Sequence, residues 1–183
     1  MPPLKSSELT KLARERLGPS LAEHGFKRTP KASPASWCRA EGDRWLLFWF
    51  QPSTSNDAYS AGYKFTVEFL LGSQPEIYGN GFRRRLPTLL TDEGRERLRG
   101  LENRAISKLP PPDMSVLGRL PPPTLEWALK GWKPRSTPYQ AAEDVWLRQG
   151  DLEDVEALLD FILAELPGAL RTFLALAEAK PTG

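Results

Sequence analysis

Few residues in this chain have the chemistry of a reaction centre, and each of them has a competing structural role. His24 is the only histidine among 183 residues. Its ordinary titration range suits a general base, as in a hydrolase that takes a serine or an acid from elsewhere in the chain. It also stands at the expected end of a helix, where the dipole favours a positive imidazole. Spacing alone places no nucleophile beside it, so the helix-terminal role is preferred. Cys38, the only cysteine, has the chemistry of a nucleophile. It follows Trp37 in an expected strand without an assignable base, which fits a buried structural thiol better. One cysteine excludes an internal disulfide. One cysteine and one histidine also fall short of the roughly four such ligands of a self-contained zinc site.

Carboxylates gather at Asp151, Glu153, Asp154, Glu156 and Asp160. A calcium loop needs alternating acceptors around a central glycine, and this spacing lacks both. Helix capping accounts for Asp151 and Asp154, and solvation for the others. No metal or other cofactor is expected. No phosphate-binding loop of the G-x-x-x-x-G-K type is present, and Gly79-Asn80-Gly81 reads as a bare turn.

Arg83-Arg84-Arg85 is the sharpest charge feature. With Arg95, Arg97, Arg99 and Arg104 it could hold phosphates while sheet aromatics stack on bases, a nucleic-acid-binding reading. Asp92, Glu93, Glu96 and Glu102 interleave with those downstream arginines, and the net charge is only +2, which weakens that reading. The other candidate is a polar stretch after an aromatic strand: Gln51, Ser53, Thr54, Ser55, Asn56 and Asp57. A polar loop fixed by a rigid sheet is where binding residues concentrate, although a plain strand connection competes as the explanation.

These residues need elements to position them. A first helix is expected from Ser6 or Ser7, with Leu9, Leu12, Ala13, Leu17 and Leu21 on one side. Gly18-Pro19 predicts a kink or restart in it, and Gly25-Phe26 predicts its left-handed exit. Strands follow at 36–40, 44–51 and 62–71. The second is apolar on both faces (Trp45, Leu47, Trp49; Leu46, Phe48, Phe50), as in a strand covered on both sides. A helix from Thr91 to about Leu109 has a narrow apolar stripe and reads as a surface helix. Residues 110–138 hold eight prolines and predict an extended segment with at most a helical turn around Thr124 to Lys130. Trp127 and Trp132 within it argue that it packs on the body. A strand at about 144–148 precedes two helical stretches separated by Pro167-Gly168, capped at Asp151 and expected to cover the aromatic sheet. The fold expected is a single α+β domain over 1–183, an antiparallel sheet of about four strands packed against N- and C-terminal helices.

Placed in this order, LAEHGFKR at Leu21 to Arg28 resembles the L-x-x-x-G-F-K-[KR] helix exit of a bacterial family, domain of unknown function 4304. Phe50-Gln51-x-Ser53, Phe65-Thr66-Val67 and the late Trp146 strand before an acidic-capped, Pro-interrupted helix are similar too. The likeness covers about 5–75 and 140–178. It implies an α+β domain of bacterial origin and no established activity.

Charge is unevenly spread. Residues 1–138 carry 22 basic and 14 acidic side chains, giving +8, and residues 139–183 carry 3 and 9, giving −6. Attraction between the two parts within the fold explains this without a partner. Arginine exceeds lysine by 16 to 9, which fits a bacterial origin. The longest apolar run, Trp45 to Phe50, cannot span a bilayer, and MPPLKSSELTKLARERL has no apolar core of a secretory signal. A cytoplasmic protein without a membrane partner is expected. The first reading is a non-catalytic domain that recognises another protein, as an immunity- or adaptor-like module does; nucleic-acid binding through 83–104 is the second and a His24 hydrolase the third.

Overall fold

A computed structural model describes residues 4–29, 35–53, 64–76, 80–140 and 146–179. Helix α1 spans Ser6–Glu23 and buries Leu9, Ala13, Leu17 and Leu21, a strict four-residue repeat. It runs unbroken through Pro19, where a kink or restart is expected. Leu17 and Leu21 anchor the helix on either side, and Pro19 itself faces solvent, where a lost backbone bond is tolerated. Its exit is as expected. Gly25 has φ +80°, its N–H donates to Ala22, and the Phe26 N–H reaches back to the Leu21 carbonyl.

The strands are β1 (Lys27–Arg28), β2 (Ser36–Glu41), β3 (Arg44–Pro52), β4 (Lys64–Gly72), β5 (Gly81–Arg85) and β6 (Leu147–Arg148). All pair antiparallel in the order β1-β2-β3-β4-β5, with β6 joining the start of β4. Glu41 pairs with Arg44, so Gly42-Asp43 is a two-residue hairpin turn. The sheet therefore has six strands. Two are additions to the four expected. β1 is two residues long, too short to leave a periodic signal, whereas β6 falls within the strand expected at about 144–148. The other addition is β5, the arginine triplet itself; it forms an outer strand of the main run, where charged side chains are at home.

One face of the sheet carries Trp37, Phe48, Phe50, Phe65, Val67 and Phe69, all buried. Phe50 stacks on Phe65 at 4.7 Å between centroids, and Phe48 meets Phe69 edge-on at 5.3 Å. The covering helices are α1 and α5 (Leu152–Glu178), whose Phe173 lies 5.6 Å from Phe69 and 5.2 Å from Phe82. Pro167 does not split α5. Leu166, Ala169, Leu170 and Phe173 continue its buried stripe, and 27 residues form one helix instead of two. The opposite face of the sheet buries a smaller cluster of Cys38, Leu47, Trp49 and Leu70, so β3 is covered on both sides. Among the described residues, no helix is long and apolar enough to cross a membrane.

Helix α2 (Asp92–Ser107) starts at Thr91, whose hydroxyl accepts from the Gly94 N–H at 3.1 Å. Between α2 and β6 the proline-rich stretch is more helical than its composition suggests: α3 spans Met114–Leu117, α4 spans Pro122–Leu129, and a 3-10 turn covers Lys130–Trp132. Prolines at the first turn of α4 need no N–H partner and preset φ, so a proline run starts this helix instead of preventing it.

Candidate functional site

The residues expected to do chemistry fall into structural places. His24 is the C-cap of α1, and its carbonyl accepts from the Arg39 guanidinium at 2.8 Å. Among the described residues its imidazole has no hydrogen-bonded partner. Cys38 lies under Leu47, Trp49 and Leu70, where burial pushes its thiol above the ordinary range, the opposite of what activates a nucleophile.

Strand alternation divides the arginine triplet. Arg83 and Arg85 fall on the second face, where Glu68 of β4 meets Arg83 at 2.5 Å and Arg85 at 3.8 Å. Arg85 and Lys64 also lie over the Trp146 ring, at 5.3 and 5.6 Å. Burial lowers the pKa of Arg85, and Glu68 opposes that shift. Arg84 points the other way and stacks on Phe82 at 4.4 Å. The three guanidinium groups are therefore not one basic patch. Two share the Glu68 carboxylate while remaining half-buried, which offsets part of the charge a phosphate backbone would meet there. Of the polar stretch, Gln51 pairs with Thr66, and Ser53 is buried, its carbonyl accepting from the Ser6 hydroxyl at 2.5 Å. Ser53 thus ties the end of β3 to α1. Thr54, Ser55, Asn56 and Asp57 lie outside the described residues.

The acidic cluster makes an interhelical clasp. Asp151 and Asp154 cap α5 reciprocally, as their spacing predicts. Asp154 is in addition buried, and accepts from Arg104 at 3.0 Å and Lys108 at 3.1 Å. Hydrogen bonds to Asp154 and Asp151 hold the Lys108 ammonium protonated above its usual range. The approach is close: a Cβ on Gly150 would lie 2.3 Å from the Asp154 carboxylate and 3.1 Å from the Ala105 carbonyl. Among the described residues no group of three His, Cys, Asp or Glu side chains is placed to hold a metal.

The feature that sequence reasoning missed is Glu102. It was expected among the solvated charges of a surface helix, yet it is fully buried. The Tyr139 hydroxyl donates to one carboxylate oxygen, and the Arg148 N–H donates to the other at 3.1 Å. The Arg148 guanidinium approaches that second oxygen at 3.4 Å. Arg135 lies over the Tyr139 ring at 4.1 Å. Burial raises the Glu102 pKa, and the Arg148 and Arg135 charges oppose that. Its partners are 37 and 46 residues away, so no local pattern announces them.

Around Glu102 one face of α2 laces down the end of the proline-rich stretch. Arg99 donates to the Ser136 carbonyl at 2.6 Å. The Asn103 amide pairs with both backbone groups of Arg135, at 3.0 and 2.7 Å. Positions 99, 102 and 103 share a helical face, so one row of side chains grips an irregular backbone. Further up, the Trp132 indole N–H donates to the Pro110 carbonyl at 2.9 Å and joins the two ends of a loop. That closed loop, 110–132, forms an arm. Leu117, Ala128 and Gly131 turn inward from it. Trp127 does not pack on the body as expected: it is 63 % exposed, and Met114 is 51 % exposed. Packing of the arm rests on Leu117, Ala128, Gly131, the half-buried Trp132 and the polar lacing instead.

A scan against protein-family models, a search of curated proteins and a search of solved structures each found no match to this chain.

Proposed function

We propose that this chain is a non-catalytic protein-recognition domain whose contact surface is the arm at 110–132, with Trp127 as its anchor. The observation that carries the reading is the exposure of Trp127 on a segment whose ends are pinned. A large indole facing water forgoes burial worth about 1.5–3 kcal/mol on the scale of buried apolar side chains. Tryptophan is also the residue type most often found carrying binding energy at interfaces. Pinning by Trp132, Asn103, Arg99 and Glu102 means that a partner meets a surface already ordered, which lowers the entropic cost of association.

The titratable groups support the same reading by what occupies them. Glu68, Glu102 and Asp154 are each closed by basic or phenolic side chains of the fold. A cytoplasmic setting, a bacterial origin and kinship with domain of unknown function 4304 belong to this proposal, resting on composition and on the Leu21–Arg28 helix exit. An immunity- or adaptor-like role is the form of recognition it names.

The test compares capture by the immobilised chain with capture by Trp127→Ala. A protein retained by the wild type and by Leu176→Ala, but lost with Trp127→Ala, is the expected result; Leu176 is an exposed control on α5, 41 % accessible. Equal retention by all three chains would remove the arm as the contact surface.

A further inference from the structure

The row of side chains that pins the arm contains one bond that a proton can switch. Arg99, Glu102 and Asn103 grip the returning backbone from one face of α2. Asn103 does not titrate and a guanidinium stays protonated, so Glu102 is the member whose charge changes. Its carboxyl joins three parts of the chain, since Tyr139 ends the arm's return and Arg148 belongs to β6. Glu102 is fully buried while Tyr139 covers one of its oxygens, and lifting 135–139 opens that side to water.

The pinned arrangement compensates a negative charge there poorly. The Arg148 guanidinium stands 3.4 Å from the carboxylate, long beside the roughly 2.7–2.9 Å of a charge-assisted bond. The same Nη1 also reaches the Trp146 carbonyl at 3.3 Å, and among the described residues the buried Nε of Arg148 has no hydrogen-bond partner. Arg135, whose charge also favours ionisation, lies over the Tyr139 ring. From α5, Asp154 is turned to Arg104 and Lys108, and Glu165 to Arg97. Lys130, in the 3-10 turn beside α2, is exposed. Burial therefore outweighs the two arginines and raises the pKa of Glu102. A protonated carboxyl suits the same place: one oxygen still accepts from the Arg148 N–H, the other stays bonded to Tyr139, and no charge is desolvated.

We propose that Glu102 is a proton-operated latch: neutral, it holds the arm pinned for docking, and ionised, it lets 133–139 lift from α2. Arg99 and Asn103 then hold the return alone. The Trp132 bond to Pro110 keeps 110–132 closed on itself, so loosening the return frees the arm as a unit. The pinned state binds the proton more tightly than the lifted one, so it loses ground as pH rises out of the ordinary carboxylate range. Each tenfold of extra proton affinity in the pinned state is a tenfold change in the opening equilibrium. The consequence for capture rests on the docking reading above, whereas the motion does not.

The experiment follows amide exchange in the full chain from about pH 5 to about pH 8, with every rate divided by the intrinsic rate at that pH. Protection at 133–139 should lie below that of β3 and β4 and fall about tenfold or more across the range. Glu102→Gln should keep its protection at 133–139 constant. Capture of a retained protein should weaken over the same range with the wild type and hold steady with Glu102→Gln. A flat wild-type profile, the same decline in Glu102→Gln, or one protection shared by 133–139 and the sheet strands overturns the latch. So does capture that is as strong with the return lifted as with it pinned. If Glu102→Gln does not fold, the wild-type profile at 133–139 against β3 and β4 decides alone. Opening with pH while Trp127→Ala captures normally would instead leave the latch standing and remove the docking reading; lost capture in Trp127→Ala beside a flat exchange profile would do the reverse.

Discussion

The sheet body and the proline-rich arm are held by different physics. In the body, Phe48, Phe50, Phe65, Phe69 and Phe173 interlock under two helices, and its order comes from buried apolar area. The arm buries fewer large side chains, Leu117 chief among them. Its position is set by an indole N–H on Pro110, an amide on Arg135, a guanidinium on Ser136 and a buried carboxylate on Tyr139. Apolar packing is cooperative and insensitive to any one partner's direction, whereas polar lacing is directional and can be undone bond by bond. A domain built this way keeps a rigid platform while presenting a segment whose side chains are not consumed by its own folding.

Breaking the body should cost most. Phe69→Ala removes a ring that contacts both Phe48 and Phe173, and should lower stability by about 3–5 kcal/mol in urea unfolding. Glu102→Ala comes next. It leaves the Arg148 and Tyr139 donors buried without their acceptor, for about 3 kcal/mol. The loss should register as arm opening, seen as fast amide exchange at 133–139, before the body melts. A loss confined to global unfolding would mean that arm and body are one cooperative unit and that the contrast between them is wrong.

The same carboxyl gives a pH signature. Because burial holds its folded pKa above the ordinary value of 4.5, the folded chain binds that proton more tightly than the unfolded chain does. Glu102 therefore contributes stability while protonated, and that contribution is lost as pH climbs from the ordinary carboxylate range through the raised value. Glu102→Gln cannot ionise. The stability difference between variant and wild type should shift in the variant's favour as pH rises, measured by thermal unfolding at several pH values. A shift the other way would show that Arg148 and Arg135 outweigh the cost of burial.

Asn103→Ala should have a smaller effect, about 1–2 kcal/mol, since it removes two bonds to one half-buried residue. Faster proteolysis within 110–136, with the melting of the body little changed, is the expected readout.

How much of this was legible beforehand follows the same division. The body was readable where burial leaves a period, four in Leu9 to Leu21; the alternation of Phe65, Val67, Phe69 and Leu71 located β4 but suggested one wetter face, whereas Thr66, Glu68 and Leu70 on the other face are buried too. The Gly25-Phe26 exit and the Asp151–Asp154 cap were readable because their bonds close within six residues. Pro19 and Pro167 misled, since a breaker acts locally while the stripe on either side holds the helix to the sheet. Glu102, Asn103 and Arg99 were unreadable. In α2 they are ordinary helix-surface residues, and only the return of the chain at 135–148 makes them a grip. Candidate sites named from composition fared likewise. Arg83 and Arg85 turned out to share Glu68, a partner fifteen and seventeen residues back that alternation places opposite them.

The smallest stability effect belongs to the residue with the largest proposed functional one. Trp127→Ala deletes a side chain that is mostly in water, so unfolding should change by no more than about 0.5 kcal/mol. Such neutrality is itself informative. An indole packed on the body, as the tryptophan content of the segment first suggests, would cost about 3–5 kcal/mol on truncation, and a loss of that size would place the anchor in the fold instead of at an interface. Unchanged melting together with lost capture is the combination expected of a residue held outward by its neighbours. Asn103→Ala should then weaken capture through disorder of the arm while Trp127 itself is intact, which separates the anchor from the lacing that presents it.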